Sequence, residues 1–437
     1  GILPVDDAAS PYADDLIFLF MGGFLLALSM QRWELDRRIA LITLMVVGVT
    51  PRRMIAGFMI ATAVLSAFVS NTATAAMMMP VALSVIRLLG RRTPAEIADD
   101  PEAPAGRDHF ALCLMLGIAY AASIGGISTI IGSPPNGLLV AYVESRIDAE
   151  YRMNVTFLRW MSIGVPLAMV FLPLTWLLLT SFIYPVRLRS IEGGRDLLRR
   201  QLRDLGPPKA GEWVTLIVFS VTALLWITRP LLADLSLPGS DMAPFALLKD
   251  AGVAMLGGLA LFIIPVRPRE GVFALDWKTA STLPWGILIL FGGGLSLAGA
   301  VDTHNVAAFI GSFATSLHGV PLIVAVAALT ALVVFMTELT SNTATTATLL
   351  PILAAVAPAI GLHPYMLIVP AAIAASCAFM MPVATPPNAI VFASGHVTIP
   401  HMVRAGIWLN FVGIGLITLF AMTLLPRLLE FSVRLTG

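Results

Sequence analysis

Long apolar runs, each broken by a small polar cluster, make up most of the chain. Residues 54–86 form one such run of 33, interrupted only by a Ser-Asn-Thr cluster and scattered threonines. Residues 321–358 form a second, with the same cluster at its middle. The runs are continuous Leu, Ala, Val, Ile and Met without the two-residue alternation of a barrel, so they predict helices. A run of 33 residues as one helix would be about 50 Å long, against a hydrocarbon core of about 30 Å. It must therefore turn. The pattern predicts an all-α polytopic membrane protein.

The polar interruptions repeat. Ser-Asn-Thr-Ala-Thr begins at Ser70 and again at Ser341, an offset of 271 positions. The same offset carries Phe20, Gly22, Gly23 and Ala27 onto Phe291, Gly293, Gly294 and Ala298, and Pro80 onto Pro351. Further along the offset becomes 252, where Pro134-Pro135-Asn136 meets Pro386-Pro387-Asn388. A register held over this length marks an internal repeat. The first copy is expected over 1–184, with a helix hairpin at about 53–89 and a broken helix at about 109–144. A polar, cytoplasmic linker is expected over 185–212, and the second copy over 213–437, with its hairpin at about 321–359 and broken helix at about 363–395. Two apolar helices, near 213–228 and 251–266, precede the second copy's Phe-Gly-Gly-Gly segment and have no counterpart before Phe20. An N-terminal membrane portion of the order of sixty residues is therefore expected to precede the sequence shown.

Charge orients the repeats. Arg52 and Arg53 precede the first run, and Arg87, Arg91 and Arg92 follow it, so it enters and leaves on the cytoplasmic side. A turn inside the bilayer and a turn at the far surface both satisfy that pattern; the re-entrant hairpin is preferred. The second run has no Lys or Arg at its ends, and its neighbours Asp302, His304, His318 and His363 are not a cytoplasmic signature. Counting from the arginine-rich linker (Arg187, Arg189, Arg195, Arg199, Arg200, Arg203) places this hairpin on the outer side. One hairpin from each face is an inverted-topology repeat, an arrangement in which substrate and coupling ions meet near the midplane.

Composition narrows the functions. Of 437 residues 58% are hydrophobic and 12% charged, with a mean hydropathy of +0.88. A net charge of +1 supplies no footprint for nucleic acid, so none is expected as a partner. Cys113 and Cys377 both lie in apolar segments and read as small buried side chains. The six histidines show no metal-ligand spacing, and no phosphate-binding Gly-x-x-x-x-Gly-Lys loop is present. An intramembrane enzyme would need a nucleophile–base pair at depth, and a channel a continuous polar lining; neither pattern is seen, so the chain is read as a transporter rather than an enzyme. Trp160, Trp213 and Trp285 near segment ends are expected to anchor at interfaces. The Gly22-Gly23 and Gly292-Gly293-Gly294 clusters are expected to allow close helix packing.

At a hairpin tip one helix ends in free carbonyls and the next begins with free N–H groups. Ser70 and Asn71 can add side-chain oxygens to those carbonyls around a small hard cation, and Thr72 can join the N–H groups in holding an anionic oxygen. Ser341, Asn342 and Thr343 repeat this in the second copy. The Pro-Pro pairs break their helices; Gly132 and Ala384 leave carbonyls open, and Ser133 and Thr385 offer hydroxyls. Capping and proline kinks alone would explain one copy of each motif, but explain two copies in register less well. Neither tip has a basic residue, so a bound anion would be neutralised by helix termini and co-bound cations; sodium suits that role. Glu338, three residues before Ser341, is an intramembrane acid. A part in the cation site, a proton site and a structural hydrogen bond all remain open for it.

The four motif copies, in this order, resemble the divalent anion/sodium symporter family, the dicarboxylate and citrate carriers. The resemblance covers the whole chain. It implies one sodium site at Ser66, Ser70, Asn71 and Gly132, and another at Thr337, Ser341, Asn342 and Ala384. It implies that carboxylates meet Asn71, Thr72 and Ser133 from one copy, and Asn342, Thr343, Thr385 and Pro386 from the other. A homodimer in the cell inner (plasma) membrane and an elevator-like movement are further implications. Sodium-coupled C4 dicarboxylate symport leads; a sodium-independent exchanger and a citrate or sulfate carrier are the alternatives.

Overall fold

Several helices begin at a side-chain cap or a proline, as at Asp14, Pro51, Ser70 and Thr156. The computed structural model describes residues 2–89, 103–188, 190–233, 245, 247–306, 309 and 320–433. Arg91, Arg92, Arg189 and His318 lie outside them. The main helices are α1 (Asp15–Arg32), α2 (Leu35–Val47), α3 (Pro51–Ser66), α4 (Asn71–Leu88), α5 (Ala103–Gly126), α6 (Pro134–Ser145), α7 (Phe157–Leu177) and α8 (Gly194–Asp204). They continue as α9 (Ala210–Ala233), α10 (Asp250–Ile263), α11 (Trp285–Thr303), α12 (Leu322–Thr337), α13 (Asn342–Ala359), α14 (Tyr365–Ala375), α15 (Pro386–Ala393) and α16 (Ile399–Thr423). Among the described residues six helices are long and apolar enough to cross a membrane, His109–Gly126 and Ile399–Thr423 among them. The protein is a multi-pass helical membrane protein.

Both long runs break at their polar clusters. Ser70 caps α4 by accepting from the Ala73 N–H (3.2 Å), and Ser341 caps α13 from the Ala344 N–H (3.5 Å). The two other breaks fall where Gly126 ends α5 and Pro134-Pro135 opens α6, and where α14 stops ten residues short of α15. The linker contains more than the expected polar stretch. Four of its arginines lie on α8, which buries Leu198 and exposes Arg195, Arg199, Arg200 and Arg203. The expected 251–266 helix stops earlier, at Ile263, because Pro265 and Pro268 follow; Pro265–Arg267 (β1) instead pairs antiparallel with Val272–Phe273 (β2).

The core lies around α5 and α14. Both are apolar on every side, as a helix buried in a bundle must be; every residue of α14 is buried, as are Phe110, Tyr120 and Ile124 of α5. The packing around them is reciprocal. α3 lies on α5 as α12 lies on α14, while α15 packs against α5 and α6 against α14. Each broken helix is thus completed by the other half. Small residues set the spacing: a Cβ on Gly125 would stand 2.3 Å from the Ala63 carbonyl oxygen, and one on Gly22 would stand 2.4 Å from the Ala254 carbonyl carbon. The close packing expected of Gly22 is therefore present, between α1 and α10. By contrast the outer face of α9 leaves Ile217, Val221 and Leu224 at least half exposed, one every three or four residues, as a lipid-facing stripe requires.

Trp160 does not anchor at an interface. Its ring is buried, and its indole N–H donates to the Ile127 carbonyl at 3.0 Å. The break after Gly126 frees that carbonyl from helical pairing, and a buried carbonyl needs a donor. Trp213 and Trp285 are exposed near helix ends as expected.

Candidate functional site

Four helices end and four begin at the repeated motifs. The C-termini are those of α3, α5, α12 and α14; the N-termini are those of α4, α6, α13 and α15. Unpaired carbonyls and unpaired N–H groups are thereby supplied by backbone alone, with no basic side chain needed.

In the first half the elements meet through Asn71. Its side-chain amide lies 2.5 Å from Ser66 Oγ, 3.1 Å from the Ala122 carbonyl and 3.2 Å from the Gly132 carbonyl. Ser66 Oγ in turn donates to the Ala122 carbonyl at 2.8 Å. With its nitrogen turned inward, Asn71 shares its two N–H hydrogens among the three. With its oxygen turned inward, four oxygens crowd together, and a cation is what such a set accommodates. Small residues permit this approach: a Cβ on Gly126 would lie 2.7 Å from Asn71 Oδ1, and one on Gly132 would lie 2.6 Å from the Gly126 carbonyl.

The second half repeats the geometry. Thr337 Oγ1 lies 2.6 Å from Asn342 Oδ1 and 3.0 Å from the Ala375 carbonyl. A threonine has one hydroxyl hydrogen for these two acceptors, so oxygen is again in excess. Ser66 and Asn71 thus correspond to Thr337 and Asn342, and Ala122 to Ala375. The structure joins Ser66, Asn71 and Gly132 directly, and Thr337 with Asn342. Ser70 and Ser341 use their hydroxyls as caps, and their carbonyls accept the first helical N–H groups, those of Thr74 (3.0 Å) and Thr345 (2.9 Å). Ala384 lies in the second break, with its N–H on the Met381 carbonyl at 3.3 Å.

The residues assigned to an anion are held differently. Among the described residues the Thr72 and Thr343 hydroxyls have no hydrogen-bond partner. Thr385 caps α15 through the Asn388 N–H at 3.3 Å, and Pro386 opens that helix. Ser133 stands at the matching N-cap of α6 but makes no cap hydrogen bond; its hydroxyl pairs with Ser376 Oγ at 2.9 Å.

Three features escape a reading of the sequence alone. The asparagines of the Pro-Pro-Asn motifs act as rivets. Asn136 Nδ2 donates to the Gly126 and Thr129 carbonyls (2.9 and 2.7 Å), and Asn388 Nδ2 to the Ala378 and Met381 carbonyls (3.1 and 3.0 Å). Two carbonyls freed by each break are satisfied by one side chain. The second feature is an Ala-Ala-Ser triplet at residues 121–123 and 374–376, visible only at an offset of 253 rather than 252.

The third is the partner set of Glu338. Its carboxylate accepts from the backbone N–H groups of Phe379 (2.7 Å), Met380 (2.9 and 3.0 Å) and Met381 (3.1 Å), and from Asn410 Nδ2 (2.8 Å). Of the roles left open, a structural hydrogen bond is the one with partners in place. In the first half the matching position is Ala67, and the tie runs the other way: Thr129 Oγ1 donates to the Ala67 carbonyl.

A cavity of about 420 Å³ lies apart from these motifs, lined by Asp14, Glu144, Arg152, Arg229 and Asp250 among others. None of the motif residues lines it. Four of its charges are paired, Arg229 with Asp250 at 2.5 Å and Lys249 with Asp15.

A multi-pass helical bundle with paired helix breaks and paired oxygen-rich corners is the architecture of a secondary transporter. The profile of the sodium:sulfate symporter transmembrane region matches residues 2–429. The chain belongs to this family, the divalent anion/sodium symporters. It is 40% identical over 433 residues to the sodium-dependent dicarboxylate transporter SdcS of Staphylococcus saprophyticus, covering 99% of this chain and 80% of the relative. It is 39% identical over 436 residues to SdcS of Staphylococcus aureus, with the same coverage. Two solved structures resemble it at 14% identity and so speak to the fold alone. The YdaH transporter of Alcanivorax borkumensis has a TM-score of 0.63 over 96% of this chain and 86% of its own. The efflux pump MtrF of Neisseria gonorrhoeae has a TM-score of 0.62 over 99% and 85%.

Proposed function

We propose that the chain carries C4 dicarboxylates such as succinate, malate or fumarate across the inner (plasma) membrane together with Na+. The observation that carries this reading is the pairing of oxygen-rich corners at Asn71 and Asn342 with helix N-termini that begin at the same residues. Neutral hydroxyl, amide and carbonyl oxygens suit a hard monovalent cation. Thr72 and Ser133 from one half, and Thr343, Thr385 and Pro386 from the other, would meet one carboxylate each. Two such halves fit a ligand charged at both ends. The similarity to sodium-dependent dicarboxylate transporters supports both the ion and the substrate class.

The two helix pairs α3–α4 and α12–α13 are re-entrant hairpins in this reading, entering from opposite faces as inverted repeats. Alternating access would follow from an elevator-like movement of the hairpins with α5–α6 and α14–α15, in a homodimer. Labelled succinate uptake by the reconstituted full-length protein, with and without a sodium gradient, tests the coupling. Uptake should rise with the gradient; equal uptake without sodium would refute symport, and counterflow from preloaded vesicles would then identify an exchanger. Competition by excess citrate or sulfate that exceeds competition by succinate would refute the substrate class.

A further inference from the structure

We infer that Ser376 is a positioning residue for the anion site, acting on the substrate through Ser133; the inference rests on Ser133 being a carboxylate ligand, as proposed above. It comes from an N-cap that does not cap. Ser133 has the extended backbone of an N-cap residue, φ −141° and ψ 135°, and Thr385 at the matching position has nearly the same, φ −139° and ψ 148°. Thr385 bonds its own helix; Ser133 does not. A serine cap ordinarily stabilises a helix start, so its diversion calls for a partner that holds it elsewhere.

That partner is Ser376 Oγ, 2.9 Å away on the opposite half, with both serines buried at 2% exposure. The matching serine of the first half, Ser123, is buried as well, but its hydroxyl has no hydrogen-bond partner among the described residues. The contact is therefore specific to one of the two crossings between halves.

The hydroxyl chemistry sets the direction. Each serine has one hydrogen. When Ser133 donates to a carboxylate oxygen, only Ser376 can be the donor within the pair. Ser376 thereby fixes the Ser133 rotamer and leaves its hydrogen free for the ligand. The preceding residue, Ala375, accepts from Thr337 through its carbonyl at 3.0 Å. Two adjacent residues, Ala375 and Ser376, therefore touch the cation corner of the second half and the anion ligand of the first.

The test is initial-rate succinate uptake at saturating sodium by the reconstituted full-length protein. The variants are Ser376→Ala, Ser133→Ala and the double substitution. Loss of one neutral hydrogen bond predicts a KM raised about three- to tenfold by Ser376→Ala, with the maximal rate within about twofold of the parent. The double variant should be no worse than Ser133→Ala, because Ser376 acts through that hydroxyl. An unchanged KM in Ser376→Ala, or effects that multiply in the double variant, would overturn the inference. An unchanged KM in Ser133→Ala would instead remove the parent reading of Ser133, and the inference with it. Should Ser376→Ala fail to yield folded protein, Ser376→Cys replaces it. That variant keeps the volume but only a weak donor, and the same rise in KM is expected; an unchanged KM there has the same refuting force.

Discussion

Replacing Glu338 by glutamine separates a structural clamp from an ion or proton site. The carboxylate is 3% exposed and receives four donors, three of them consecutive backbone N–H groups in the second break. Glutamine of the same shape keeps one acceptor oxygen and places an NH2 group at the other. If the amide nitrogen takes the Oε2 position, Met381 N loses its acceptor and Met380 N retains only Oε1. One buried donor left unpaired, together with weakening of the remaining bonds from charged to neutral, amounts to about 2–4 kcal/mol. That free energy falls on the opening of residues 379–381, since the bonds lie there. Amide exchange in this segment should therefore accelerate about 30- to 1000-fold in Glu338→Gln, at 1.4 kcal/mol per factor of ten. Hydrogen–deuterium exchange with mass spectrometry on peptides spanning 376–385 reads this directly, with peptides of α7 as an internal control. Unchanged exchange, combined with a shifted sodium or pH dependence of uptake, would refute the clamp and restore the ion- or proton-site alternatives.

Other outcomes follow from the same geometry. Asn71→Ala and Asn342→Ala should each weaken sodium dependence and substrate affinity together, measured as the sodium concentration for half-maximal uptake and as succinate KM; normal transport in both would make the tips structural caps. Gly22→Ala should lower stability by about 1–3 kcal/mol, because the new methyl meets the Ala254 backbone at 2.4 Å, whereas Gly252→Ala, in a helix with nothing within 4 Å, should not lower the melting temperature. Burial holds the His363 imidazole, in the loop between α13 and α14, down at about 4 against an ordinary 6.5. Between pH 6.5 and 4 the unfolded chain takes up a proton that the folded chain refuses, so stability falls as pH drops through that window. His363→Gln should flatten the dependence of melting temperature on pH over that range.

The positions of the helix breaks were legible because breaking a helix in lipid takes specific residues. Prolines remove donors, Ser and Asn cap, and glycine permits close approach, so each break is written locally. The run of 33 residues had to turn because helix rise and bilayer thickness are fixed lengths. Equivalence of the halves was legible for the same reason: local signals recur at a constant offset wherever no residue is inserted. The one-residue difference between offsets hid the Ala-Ala-Ser triplets, since a register search tolerates no slip.

What the sequence determined by itself is the membrane class, the repeat and the corners where polar atoms gather, all set by interactions within a few residues of one another. Only the tertiary structure decided the partners. Whether Glu338 serves an ion or a backbone depends on residues 379–381 and 410; whether Ser133 caps its helix or reaches across depends on Ser376, 243 positions away. Trp160 shows the same limit: an indole near a segment end suits an interface until packing places a freed carbonyl within 3.0 Å of its N–H. Hydrogen bonds and close packing act over a few ångströms in space. The chain specifies those distances only after every helix has found its neighbours.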